Sequence, residues 1–580
     1  MSWLFGIVGS HITPDVFSSI KKFIPAPLYS YKSQSLQIFC GGLKETCLSS
    51  LANARDTKKP MGWIVCGLGL CAESDDQMRI LIDDDWDGIF QRAELQLGNL
   101  EGHFVALQWN KNRVMGYVDS RGIRDLYVAR FKNYILISTR LDLFAKFGLS
   151  CSIDYLRFGS RWLAFNQIST MSIVNPVERL GPGAQIRIEN CRYSISRPVS
   201  LQLPKMNKSM ARQIDILTTF PLNAGYQIIT CLSGGVDSRL LLATLLSRPK
   251  DKWKVCMFGP VNHPDVQIAH QIVQDLHLDN IYLPIIIPDA SQIISAMRNF
   301  VVHTQCIAPA TEAIRLGFYK SLYEPKTIII DGAFGEIMRR TYLNRLFIRG
   351  RMAFRQGRIK KIMPLLHLKR GDIFNVDVLK IMNNGFEDDV TRLWHILFKS
   401  EKIKEFENIL DLMAIMTRLP NLFGPEVTRL DHLIVNYMPF AQPSFLSTVL
   451  KLKLNLRRNG KFSKTYIKER GNFLNRYRLV KENNIYPFGL SHPVLTKIWK
   501  EAGQLFGFSF SDSLQIEILK KLEPFIRDTG VSHDTRSFAA YDMKKIDNLI
   551  DEFYRGNYCY AGDLSWWLSF ELWRQACMFS

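Results

Sequence analysis

One short segment limits the fold more than any other. Residues 226–232 (Tyr-Gln-Ile-Ile-Thr-Cys-Leu) are an apolar, β-branched run, residues 233–238 read Ser-Gly-Gly-Val-Asp-Ser, and residues 239–247 (Arg-Leu-Leu-Leu-Ala-Thr-Leu-Leu-Ser) read as a buried helix. A strand that turns through two glycines straight into a helix is the opening of a right-handed crossover, so a parallel sheet is expected. The texture then repeats. Strands are predicted at 254–258, 280–284 and 327–331, with a helix from about 264 to 276 between the first two. From about residue 375 the pattern is mostly helical.

The 233–238 loop also carries chemistry. It lies at the carboxyl end of a strand, where open parallel sheets bind ligands. Two glycines let backbone N–H groups approach a phosphate closely, and a helix N-terminus adds favourable potential. The hydroxyls of Ser233 and Ser238 are donors for phosphate oxygens. Asp237 repels a phosphate unless a cation lies between them, and a hard divalent ion such as Mg²⁺ is the natural bridge. The Gly-Lys-Ser/Thr ending of a Walker loop is absent.

The first 200 residues read differently. Short apolar runs such as 5–9, 62–70, 104–107 and 134–137 are separated by turn residues, which suits packed antiparallel sheets. Residues 197–210 are polar, hold two prolines and read as a linker. A chain of 580 residues is too long for one ordinary domain, so two are expected, over 1–200 and 211–580. The 11 cysteines include no CxxC pair, which gives no metal or redox spacing and leaves buried thiols as the reading. His263 and His303 lack metal-ligand spacing and read as structural. No apolar run is long enough to span a bilayer, and no basic flank precedes a long apolar stretch at the start, so a cytoplasmic location is expected. A net charge of +20 points to a polyanionic ligand, an acidic partner or a membrane surface without choosing among them. Its carriers cluster in residues 339–370 and 451–481, which are either docking surfaces for an acidic or extended peptide or solvated helix faces.

The hexapeptide resembles the pyrophosphate loop of the ATP-pyrophosphatase superfamily, whose members cleave ATP between the α and β phosphates and leave AMP on an activated oxygen. Met257-Phe-Gly259, Asp265 and the 268–278 segment are similar to the stretch after that loop in asparagine-synthetase-like enzymes. Asp331-Gly-Ala-Phe-Gly-Glu336 resembles their second phosphate loop, Ser-Gly-Glu-Gly-Ala-Asp-Glu. The resemblance implies ATP and Mg²⁺ as cofactors. It implies contacts to ATP or pyrophosphate from Leu232, Ser233, Gly234, Gly235, Val236, Asp237 and Ser238, from the strand end at Phe258 and Gly259, and from Asp331 and Gly332. Asp237 and Glu336 would hold the metal. A late lysine would stabilise developing charge; Lys481 fits by position, with Lys461 and Lys464 as rivals. Ala333 replaces the family's first Glu, which argues against asparagine as the product.

Residues 101–109, 119–127 and 180–183 resemble the same family's glutaminase domain. The implied fold class is α/β: an Ntn-hydrolase-like α+β sandwich, then a parallel-sheet (PP-loop) synthetase domain with a helical C-terminal part. Glutamine hydrolysis in that fold needs an N-terminal cysteine whose amine serves as base. Phe5 stands where that cysteine should precede Gly6-Ile7-Val8-Gly9, Ser2 lies three residues out of register, and the glutamine-gripping Asn-Gly-Glu is replaced near 66–69. Enzymes of this architecture without the cysteine include β-lactam synthetases and lasso-peptide cyclases. Carboxylate adenylation followed by attack of an amine on the same molecule is therefore the implied activity, with a lasso-type macrolactam foremost. A peptide or small-molecule carboxylate, most naturally a ribosomal precursor peptide, would be the substrate, and a leader peptidase or recognition protein a partner. An ammonia-dependent asparagine synthetase, or another amidotransferase-like ligase, is the alternative. An RNA-binding or tRNA-modifying PP-loop protein is a second, against which the glutaminase-like start counts.

Overall fold

The computed structural model describes residues 2–577 except 14–15, 17–19, 52–60, 75, 92–99, 166, 199–200, 202, 340–343, 369, 400–405, 472, 482–483, 491–498 and 500–512. The architecture is mixed α/β. The first 196 residues build two large antiparallel sheets and a small two-stranded one, Ser152–Ile153 with Val174–Asn175. In one, the strand Trp3–Gly9 runs between Tyr134–Ser138 and Leu36–Gly41. In the other, the long strand Gly62–Ser74 pairs with Glu101–Trp109, and the order continues through Arg113–Val118 to Gln185–Glu189.

Period-2 alternation explains why the sheets stack. Leu4, Ile38, Cys40, Ile135 and Ile137 face inward and meet Ile64, Cys66, Val105, Leu107 and Ile186 of the opposite sheet. Phe5, Ile7, Phe39 and Leu136 face the other way, into a core continuous with the C-terminal half. The outer face of the second sheet is covered by the helix Asp83–Phe90 through Trp86 and Phe90. Phe5 is fully buried, its ring centroid 6.2 Å from Phe23 and 5.8 Å from Phe147. The position at which a nucleophilic cysteine would stand is thus a packing position.

The strands predicted in the C-terminal half are present: Gln227–Cys231, Trp253–Phe258, Asn280–Leu283 and Thr327–Ile330, all parallel. Several features depart from the sequence reading, among them a two-stranded hairpin, Leu479–Lys481 with Asn484–Tyr486, in the stretch read as helical. The linker stops at Ser209, whose hydroxyl accepts from the Arg212 N–H and caps a helix at Met210–Asn223. A fifth parallel strand, Val435–Tyr437, lies within the stretch read as helical and pairs with Thr327–Ile330. His263 caps the helix Pro264–Asp275, and His303 lies on the helix Ala290–Thr304 with its ring 5.9 Å from His432. Among the described residues no helix is long and apolar enough to cross a membrane.

A buried polar knot ties the halves together. Asp431 forms an ion pair with Arg124, accepts from Asn436 Nδ2 at 2.7 Å and lies 3.3 Å from His103 Nε2. Arg124 Nη1 also donates to the Ser2 carbonyl at 3.0 Å, and the Ser2 hydroxyl lies 3.3 Å from the Asp431 carbonyl. Ser2 is therefore enclosed at the junction, fully buried.

Candidate functional site

The order of the five-stranded sheet is Asn280–Leu283, Trp253–Phe258, Gln227–Cys231, Thr327–Ile330, Val435–Tyr437. Numbered along the chain that is 3-2-1-4-5, so the order reverses between Gln227–Cys231 and Thr327–Ile330. Open parallel sheets bind ligands in the crevice at such a reversal, outside the carboxyl ends of the strands. The two segments that leave those two strand ends are 232–238 and 331–336. The motif at 233–238 thus lies at this reversal point.

The first loop is held by its own side chains. The Ser233 and Ser238 hydroxyls are 3.0 Å apart, Ser238 Oγ accepts from the Ser233 N–H at 3.2 Å, and Ser233 Oγ accepts from the Gly235 N–H at 3.1 Å. Asp265 Oδ1 accepts from the Gly234 N–H at 2.7 Å, and burial lifts the Asp265 carboxyl above its usual range. Helix Val236–Leu245 then begins at Gly235 with no side-chain cap, which leaves its first-turn N–H groups for another acceptor. Leu232 and Val236 are buried beneath the loop.

A hairpin closes one side. Leu479–Lys481 pairs with Asn484–Tyr486, and the Val480 N–H donates to the Gly234 carbonyl at 3.0 Å. A Cβ on Gly234 would fall 2.7 Å from the Val480 side chain, so only glycine allows this approach. Buried Arg239 fastens the contact. Its guanidinium donates to the carbonyls of Leu474 (3.3 Å), Tyr477 (2.9 Å), Gly234 (3.2 Å) and Arg478. The backbone of Lys481 therefore sits one residue from the loop; its side chain lies outside the described residues. The basic residues Arg340 and Lys369, and the side chain of Arg345, also lie outside them. Lys464, a rival to Lys481, is pulled below the usual lysine range by burial and then by the Arg339 charge, which places it near that guanidinium. Lys461 opens the helix Lys461–Arg470.

The second loop packs directly on Asp237. A Cβ on Gly335 would fall 2.8 Å from Asp237 Cγ, and one on Gly332 3.0 Å from the Asp237 carbonyl carbon. Between them Phe334 takes a left-handed conformation (φ 64°), a strained state for a bulky residue, held by burial against Phe423. Asp331 accepts from the Ala333 N–H, and burial followed by the Asp237 charge raises its carboxyl above the usual range. On the other flank Phe258 meets Tyr319 at 5.9 Å between ring centroids, and Gly259 accepts from the Tyr282 hydroxyl at 2.9 Å.

The two carboxylates expected to share a metal do come to one crevice, but each already has a cation. Arg339 forks onto Asp237, with Nε at 3.1 Å from Oδ1 and Nη2 on Oδ2. Arg418 Nε donates to Glu336 Oε1 at 2.6 Å, with its guanidinium over the rings of Phe165 and Phe423. Among the described residues no group of three or more His, Cys, Asp or Glu side chains is placed to hold a metal ion. A divalent ion here would have to displace two guanidinium groups, so this donor set does not fit a resident Mg²⁺.

Arg239, Arg339 and Arg418 were not singled out by the sequence reading as site residues. Arg239 and Arg339 bind partners more than 100 positions away, so no local spacing marks them. Glu426 was also missed. Burial raises its carboxyl, Arg429 opposes that, and the Asp331 charge adds to it, which puts Glu426 beside the second loop.

No family model and no curated protein matches the chain. Among solved structures, glutamine phosphoribosylpyrophosphate amidotransferase from B. subtilis, complexed with ADP and GMP, is 9% identical. The match covers 58% of this chain and 77% of that one, with a TM-score of 0.22. A structure described as the allosteric regulatory enzyme of purine biosynthesis is 10% identical over 58% and 76%, again at 0.22. Likeness at that level leaves the fold to be read from strand order and packing.

Proposed function

We propose that this chain is an ATP-using carbon–nitrogen ligase that adenylates a carboxylate and joins it to an amine of the same molecule. The observation that carries the reading is the meeting of two glycine-bearing loops, 232–238 and 331–336, at the reversal point of the parallel sheet. In the first step a carboxylate oxygen attacks the α-phosphorus of ATP, the bond to the bridging oxygen breaks, and pyrophosphate leaves. The uncapped first turn of Val236–Leu245, with Ser233 and Ser238, would hold that leaving group. The backbone at Phe258 and Gly259 would flank the adenine. In the second step the amine attacks the acyl carbon, AMP departs, and the nitrogen gives up a proton. Lys481, on the strand whose Val480 is bonded to Gly234, is the residue assigned to stabilise the developing charge.

The nitrogen source is argued from Phe5. With a packed phenylalanine in place of the nucleophile, the N-terminal sandwich, read as a degenerate Ntn-type glutaminase, supplies no ammonia. An amine on the substrate has a high effective molarity once the substrate is folded in the crevice. A macrolactam-forming, lasso-type cyclase acting on a ribosomal precursor peptide suits this best, with a leader peptidase or recognition protein as partner.

The test is to incubate the protein with ATP and a candidate precursor peptide. The expected result is AMP and pyrophosphate in step with a product lighter than the peptide by one water. AMP release without that mass loss argues against cyclisation, and asparagine formed from aspartate and ammonium would move the reading to the synthetase.

A further inference from the structure

Resting on the ATP-site reading above, we propose that the polyphosphate site carries its own cation: Arg339, backed by Arg418, stands in place of a protein-held divalent ion. The class of ligand is a pyrophosphate or the triphosphate tail of a nucleotide, taken without metal.

Three observations carry this. First, Arg339 occupies the place a bridging metal would take. It sits on both oxygens of Asp237, the carboxylate that would otherwise repel a phosphate in the loop. Its side chain is 19% exposed, so it is neither sealed in the core nor a mobile surface group. Gly460 lies against its stem, where a Cβ would come within 3.2 Å of Arg339 Cγ and Cδ. Second, Nε and Nη2 are the donors spent on Asp237, and the rest of the planar fork remains for a phosphate, which guanidinium binds in bidentate fashion. Third, Glu336 is paired with Arg418 through a single Nε donor at 2.6 Å, the guanidinium lying over the rings of Phe165 and Phe423. Asp237 and Glu336, the two carboxylates that would hold a divalent ion, are thus each already paired with a guanidinium. Lys464, whose Nζ donates to the Leu490 carbonyl at 3.0 Å, is a further cation near Arg339, and Asp331 is a carboxylate near Asp237 that it helps to offset.

The experiment is calorimetric titration of the full chain with inorganic pyrophosphate and with ATP, in EDTA and in magnesium. In EDTA the affinity is expected to lie within about threefold of that in magnesium. Arg339→Gln should weaken binding in EDTA by about tenfold or more, and Arg339→Lys should weaken it less, because a point charge replaces part of the fork. Asp237→Asn is the discriminating variant. It removes a negative charge and leaves the guanidinium, so binding in EDTA should hold or tighten, whereas a metal-held site would lose affinity. Binding that is absent in EDTA and restored by magnesium overturns the resident cation while leaving the ATP site standing. No binding of either ligand under either condition overturns both. Should Arg339→Gln fail to fold, the wild-type comparison and the lysine variant still decide.

Discussion

Asp431→Ala is expected to lower the stability of the whole chain by about 3–5 kcal/mol, the range for removing one partner of a buried ion pair. The loss is large because nothing replaces the carboxylate. Asp431 and Arg124 side chains are both fully buried, and Arg124 would keep its charge with the Ser2 carbonyl as its acceptor. Asn436 Nδ2 and His103 would lose the same acceptor. Because Arg124 belongs to the sandwich and Asp431 to the turn before the fifth parallel strand, both halves should loosen together. Urea unfolding followed by tryptophan fluorescence checks this. A midpoint shift corresponding to under about 1 kcal/mol would mean that the knot is not holding the halves.

The same knot sets a pH signature. Burial, with the Arg124 charge adding to it, pushes His103 down to about 3, so the folded histidine stays neutral and its Nε2–H donates to Asp431. The unfolded histidine titrates near about 6.5. Between those values the unfolded chain binds the proton and the folded chain does not, so this stability is complete above about 6.5 and drains away as pH falls toward 3. Measured against His103→Gln, which cannot titrate, the wild type should lose up to about 1.4 kcal/mol per pH unit below 6.5.

The second large effect is expected at Arg239. Arg239→Met should free the hairpin Leu479–Lys481/Asn484–Tyr486 from the 233–238 loop. Burial pulls the guanidinium down to about 10, so it remains charged at neutral pH, and it serves four carbonyls. A methionine fills the space but takes this donor from all four carbonyls, of which Gly234 keeps the Val480 N–H. Hydrogen bonds to a charged donor contribute about 1.5–3 kcal/mol each, so a local cost of about 3 kcal/mol is a low figure. Amides of the hairpin should then exchange with solvent about 100-fold faster, while those of Gln227–Cys231 should not change. Nucleotide affinity should fall with the docking of Lys481. Unaltered exchange in the hairpin would show that Arg239 only fills the core.

What the sequence made legible was the part governed by local rules. The apolar run, the two glycines and the helix after them announce a strand, a tight turn and a crossover, and the short apolar runs between turn residues in the first 200 residues announce packed antiparallel sheets. The strand Val435–Tyr437 was hidden because three residues have no period to read, and only pairing with Thr327–Ile330 makes them extended. The helix after Ser209 was obscured by the polar, proline-bearing segment before it. At the site, motif matching located Asp237 and Glu336, since carboxylates beside glycine turns leave a local mark. It gave them a metal partner because the arginines that hold them come from elsewhere: Arg339 lies 102 positions from Asp237 and Arg418 lies 82 from Glu336. Charge pairing over such distances is set by the fold. The basic run from 339 to 370 advertised positive charge without saying that its first member pairs with Asp237.

The proposed chemistry stands or falls on whether the crevice between the strand ends at 231 and 330 receives the nucleotide. Photolabelling the purified protein with an azido-adenine analogue of ATP, followed by peptide mapping, decides this. Saturable labelling, competed by ATP, is expected in the peptides that carry Phe258–Gly259 and the two loops. Labelling that ATP does not compete, or that maps to the antiparallel sandwich instead, would refute a nucleotide site at the strand ends.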